Sequence, residues 1–276
     1  NETFVTLAVN NSNIEFMHFY LDNMRDQAIL TQKTPNSPFV LAIRKYKLEM
    51  IDFFLTYLKD SQVQLVDLIN YALYLILQDL WFAGRENIHI NTSAFLVQNT
   101  VGKPVNTYLQ QVQSVIKQLS ESVPGIDLNC KYENETFLSF AVKENDSSFT
   151  QLILNIMKSN SLHDDELISS TFVLAIKQQN IQIIDQFIAY FGNDISKQVS
   201  NINLGLKAIV ENLYAIVKEA KSTEKTKKPS DSLKFLSSAN NDKNATSVIQ
   251  QIVSKFIELP NINFNCAYNG VSFLSL

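Results

Sequence analysis

Ser37-Pro38-Phe39-Val40-Leu41-Ala42-Ile43, a polar break from Arg44 to Lys47, and Leu48-Glu49-Met50-Ile51-Asp52-Phe53-Phe54-Leu55 form the stretch that decides the fold. Ser is a good helix N-cap, and Pro in the first turn loses nothing, because the N–H it lacks would have no helical partner there. The first segment therefore predicts a short helix. The second is apolar at helical spacing and predicts another. Upstream, Thr3 to Val9, a break from Asn10 to Asn13, and Ile14 to Leu21 follow the same plan, with Thr3 at the cap. Downstream, Ser170-Thr171-Phe172-Val173-Leu174-Ala175-Ile176 and the run Ile181 to Ile188 repeat it 133 positions on.

That offset is general. Asn1-Glu2-Thr3-Phe4-Val5-Thr6-Leu7-Ala8-Val9 returns as Asn134-Glu135-Thr136-Phe137-Leu138-Ser139-Phe140-Ala141-Val142, and Ile126-Asp127-Leu128-Asn129-Cys130-Lys131-Tyr132 returns as Ile262 to Tyr268, 136 on. The chain is a tandem duplication, 1–133 and 134–266, with the start of a further repeat at 267–276. A repeated unit of this size cannot bury its apolar face alone, so neighbours must cover it. Phe4, Leu7, Phe39, Leu41, Phe137, Phe140 and Phe172 are the expected core between units.

The pattern resembles the ankyrin repeat, whose motif runs Thr-Pro-Leu-His-Leu-Ala, a short loop, then a helix of the type Leu-Glu-Ile-Val-x-Leu-Leu. Ser37 to Leu55 carries the resemblance best, and Ser170 to Ile188 nearly as well. Gly125-Ile126-Asp127-Leu128-Asn129-Cys130-Lys131 is similar to the family's hairpin between repeats. The family period of about 33 residues fits the offset four times. The resemblance implies an all-α α-solenoid of about eight ankyrin-like helix pairs in one domain, with short hairpins or loops between them. Slot three of each copy is degenerate. Slot four of the first copy holds Phe95-Leu96-Val97, a loop at Gly102-Lys103-Pro104 and a helix from Val105 to Leu119. The chain departs from the family twice. Ser12, Tyr46, Asn145 and Gln179 stand where the loop Gly belongs, and Thr6, Val40, Ser139 and Val173 replace the motif His.

Composition bounds the rest. Apolar residues at 46% suit a packed core, and six Gly with six Pro are few for an all-β fold. A net charge of −4 argues against nucleic acid as a partner. The apolar run Leu65 to Ala83 contains Asp67, Asn70, Gln78 and Asp79, so a buried core helix rather than membrane insertion is expected. Cys130 and Cys266 occupy equivalent places far apart, and a disulfide between them is not expected. The chain begins without Met and stops within a motif, which reads as a fragment of something longer. Sequons at Asn1, Asn10, Asn91, Asn134, Asn145 and Asn244 need secretory entry to matter.

Catalytic signatures are lacking. His18, His89 and His163 are scattered without partners at metal-ligand spacing. Gly102-Lys103-Pro104 lacks the other elements of a phosphate loop. Asp164-Asp165-Glu166 reads as charge at a helix start, with Ser161 and Asp164 as a capping box. No metal, cofactor or enzymatic activity is expected. The resemblance implies a cytoplasmic, non-catalytic scaffold or adaptor that binds other proteins, including a structural place on a cytoskeletal assembly. The alternative is the regulatory or targeting region of a larger enzyme or membrane channel. By resemblance the partner would meet the hairpin tip Lys131, Tyr132, Glu133 and Asn134, with Arg44, Lys45 and Lys177. The charged, apolar-poor stretch Glu219 to Asp231 is expected to be a mobile loop whose Lys225, Lys227 and Lys228 could meet an acidic partner.

Overall fold

A computed structural model describes residues 3–24, 28–59, 62–85, 105–160, 164–192, 199–211, 251–252, 254–256, 267–268 and 271–272. Residues 86–104 and the 219–231 stretch, with His89, His163 and Cys266, lie outside them. The described residues are mostly helical: α1 (Phe4–Asn10), α2 (Ile14–Met24), α3 (Ala28–Thr31), α4 (Pro38–Arg44), α5 (Leu48–Tyr57), α6 (Gln62–Arg85), α7 (Val105–Ser122), α8 (Phe137–Lys143), α9 (Ser147–Ser159), α10 (Asp165–Lys177) and α11 (Ile181–Phe191). Two-residue strands β1 (Ala267–Tyr268) and β2 (Val271–Ser272) pair antiparallel, with Ala267 opposite Ser272 and Tyr268 opposite Val271. The chain forms two compact units. One comprises Asn1–Phe140 with Asn155–Leu162; the other comprises Ala141–Leu154 with His163–Leu276.

One turn closes four helix pairs. Ser12, Tyr46, Asn145 and Gln179 sit at φ 54°, 57°, 59° and 58°. Each donates its N–H to the carbonyl three residues back, on Val9, Ile43, Val142 and Ile176, at 3.0–3.1 Å. The next N–H reaches five residues back, to Ala8, Ala42, Ala141 and Ala175, at 2.8–3.3 Å. This is the Schellman motif, in which a left-handed residue lets the chain satisfy the last carbonyls and leave the helix. The residue that donates the longer bond also starts the second helix. Asn13, Asp146 and Asn180 each accept a backbone N–H, from Phe16, Phe149 and Ile183, at 2.9–3.0 Å. Lys47 holds the same place in α4–α5 and makes no such cap.

Helix starts follow the duplication in one place and break it in another. Thr3 and Thr6 form a reciprocal capping box at α1, and Thr136 and Ser139 repeat it at α8. At α4, Pro38 stands in the first turn after Ser37, whose side chain makes no capping bond. The equivalent Ser170 lies inside α10, which starts at Asp165 under an Asp164 cap. Thr171 replaces Pro38 there, so nothing stops the helix from running through. Asp164 accepts a capping bond from the Leu167 N–H at 2.9 Å, while Ser161, the other half of the expected capping box, lies outside the described residues.

In the first unit α4 packs against α1, α3, α5 and α6, while α7 packs against both α5 and α6. Two helix pairs were expected between 61 and 125. The described residues hold one, α6 with α7. Leu65, Leu68, Ile69, Ala72, Leu73, Ile76, Leu77 and Leu80 bury one unbroken helical stripe, and no left-handed residue interrupts α6. More than half of its apolar window is buried inside the protein, although its length and composition would also cross a bilayer. In the second unit, 199–211 are helical and bury Asn201, Ile202, Leu206, Ala208, Ile209 and Val210, the pattern of Leu68, Ile69, Leu73, Leu75, Ile76 and Leu77 at the same offset.

Phe39, Leu41, Phe137, Phe140 and Phe172 are buried as expected. Phe4 and Leu7 are not: they are 83% and 45% exposed, because α1 turns Val5, Ala8 and Val9 inward instead.

Candidate interaction surface

The hairpin after α7 is built from a tight reversal. Tyr132 and Glu135 exchange both backbone hydrogen bonds at 2.9 Å, and Glu133 and Asn134 between them take φ 49° and 65°. Positive φ at both central positions is the mark of a type I′ turn, whose twist suits a hairpin. β1 and β2 repeat this pairing, since Tyr268 and Val271 correspond to Tyr132 and Glu135. Lys131, Glu133 and Asn134 are exposed at the tip, while Tyr132 is half-buried.

Tyr132 lies among three rings of α6. Its ring centroid is 5.3 Å from Trp81, 5.8 Å from Tyr74 and 6.0 Å from Phe82. Edge-to-face and tilted arrangements at these distances are favourable for aromatic quadrupoles. The rings anchor the tip to α6 and keep its polar neighbours outward. Beyond their spacing along α6, nothing in the sequence ties Tyr74, Trp81 or Phe82 to Tyr132.

Arg44 was expected to face a partner, and the structure corrects this. Its side chain is buried and grips Asp79 on α6 through Nε to Oδ2 at 3.1 Å and Nη2 to Oδ1 and Oδ2 at 2.9 and 2.8 Å. The reason is geometric: α4 packs along α6, and both residues lie in the seam. Burial pushes the Asp79 carboxyl above its ordinary range, while the Arg44 guanidinium pulls the other way. Tyr46 crosses edge-on to Tyr108 at 6.0 Å, and burial, with the Asp79 charge adding, raises its phenol well above the usual value. Lys45 caps α4 and is half-buried. Lys177 takes Arg44's place in the second copy, is exposed, and ends α10. The structure thus gathers Lys131 to Asn134 in one hairpin and leaves Lys177 in the other unit.

Cys130 is a half-buried free thiol, pushed up to about 12 by burial and by the nearby Asp127 carboxylate. Among the described residues no group of His, Cys, Asp or Glu could hold a metal ion. A groove of about 590 Å³ is lined by His18, Glu49, Asp52, Phe53, Thr56 and Tyr57. Compared with known proteins, the chain matches no family model, no curated protein and no solved structure.

Proposed function

We propose that this chain is a protein-binding scaffold without catalytic activity, built as an ankyrin-like α-solenoid. The observation that carries the reading is the recurrence of one helix–turn–helix unit, closed four times by the same left-handed turn. A pair of this size is stable only when a neighbour covers it, and stacked pairs offer a long surface suited to other proteins. Side chains link neighbouring pairs in the second copy. Gln178 donates to the Lys143 carbonyl at 3.1 Å, Asn180 to the Asn145 side chain, and Gln186 to the Ser147 carbonyl at 3.0 Å. Among the described residues the first copy contributes three pairs, the third being α6 with α7, and the helix at 199–211 is the counterpart of α6 in the second. The hairpin tip Lys131 to Asn134 is one contact surface, and the place of action is the cytoplasm.

Quantitative crosslinking mass spectrometry of the full chain in cell extract tests the function. Reproducible crosslinks to a defined protein set, absent with an unrelated acidic protein, support it. A chain that gives none beyond that control is not a scaffold. An experimental structure in which successive pairs fail to lie side by side would reject the solenoid.

A further inference from the structure

We propose that the groove between α2 and α5 docks a lysine- or arginine-bearing segment of a partner protein. This rests on the protein-binding reading above and gives it a place and a chemistry. Glu49, Asp52, Phe53, Thr56 and Tyr57 follow one another at helical spacing on the open face of α5, and His18 faces them from α2. The His18 and Phe53 rings meet at 4.6 Å and 70°, and the Phe53 and Tyr57 centroids are 6.2 Å apart. Carboxylates beside aromatic faces suit a cation, which gains charge-assisted hydrogen bonds on one side and ring quadrupoles on the other.

Charge on the two helices is one-sided. Glu15 and Asp22 on α2 and Glu49 and Asp52 on α5 are all exposed, and neither helix contains a lysine or arginine. Lys47 and Lys59 stand beyond the ends of α5, and Lys117 is exposed on α7.

The duplication shows what this position accepts. Asp185 is the counterpart of Asp52, and the Lys255 ammonium lies 2.6 and 2.7 Å from its two carboxylate oxygens. In the first copy Asp52 instead receives the neutral amide of Gln118, which also donates to the Leu48 carbonyl at 3.0 Å. The second copy satisfies its aspartate with a cation of its own. Among the described residues the first has no such cation, and it alone has two of the three rings: Gln151 and Gln186 replace His18 and Phe53, while Tyr190 matches Tyr57. An incoming ammonium or guanidinium completes in the first copy what Lys255 completes in the second.

Fluorescence anisotropy with a short fluorescein-labelled lysine–glycine peptide tests the site on the full chain, at physiological ionic strength. The glutamate–glycine peptide is the control ligand. Glu49→Gln with Asp52→Asn, whose side chain can still accept from Gln118, should weaken binding about tenfold. His18→Ala should weaken it several-fold. Asp165→Asn with Glu166→Gln, on exposed α10 positions, should leave it unchanged, and circular dichroism should show every variant folded. Equal loss in both double variants, or no loss in the first, overturns the groove. Crosslinking separates the two readings. Partners retained unchanged by Glu49→Gln with Asp52→Asn sink the groove and spare the scaffold, whereas a parent chain without partners sinks both.

Discussion

Arg44 and Asp79 show how far a residue's role depends on its neighbours. Both are buried, and a bidentate pair keeps each charge satisfied. Asp79→Leu takes its carboxylate partner from a buried guanidinium, and should cost about 3–5 kcal/mol in denaturant unfolding. Arg44→Leu with Asp79→Leu removes both charges and should recover most of that loss. Tyr46 makes a second prediction at this scale. Burial and the Asp79 charge hold its phenol above the 10.0 it has when unfolded. Its stabilising contribution is therefore complete below that pH and is lost as pH rises above it toward the folded value. Alkaline melting of Tyr46→Phe should show a shallower decline than the parent. Neither role was legible in the sequence. Arg44 lies in a polar break, and its equivalent Lys177 is exposed. Burial of a break residue depends on which helix lies alongside it.

At the scale of the element, the turn between paired helices sets the rules. A non-glycine residue in the left-handed region carries about 1–2 kcal/mol of strain, which glycine avoids at the expense of more freedom in the unfolded chain. Gln179→Gly should stabilise the protein by roughly 0.5–1 kcal/mol, as read by thermal melting. Tyr46→Gly should not, because the ring that packs on Tyr108 goes with it. Lys47→Asn supplies the cap that Asn13, Asp146 and Asn180 already provide, and should add about 1 kcal/mol. Much of this was readable. Thr3 marked its helix start, the four breaks fell where the turns lie, and the positions lacking the loop glycine are the left-handed ones. The exceptions are physical. Ser170 repeats Ser37 in the sequence, but without a proline beside it the helix runs through from the Asp164 cap. α6 carries no proline, and no glycine before Gly84 in its last turn, and runs as one helix of 24 residues.

For the molecule as a whole, the duplication predicts equal weight at equivalent places. Phe39 and Phe172 are both fully buried, one in each compact unit. Phe39→Ala and Phe172→Ala should each cost about 3–5 kcal/mol in denaturant unfolding, and unequal losses would show that the copies no longer share a packing role. The sequence by itself determined the helical class, the offset between copies, the paired helices and the tight turns, because spacing, caps and breaks act within a few residues. Tertiary structure alone decided that α6 pairs with α7, that Arg44 is buried on Asp79, that three α6 rings hold Tyr132, and that Phe4 and Leu7 face outward. Those outcomes rest on contacts between residues far apart in the chain, and no local pattern specifies which surfaces meet.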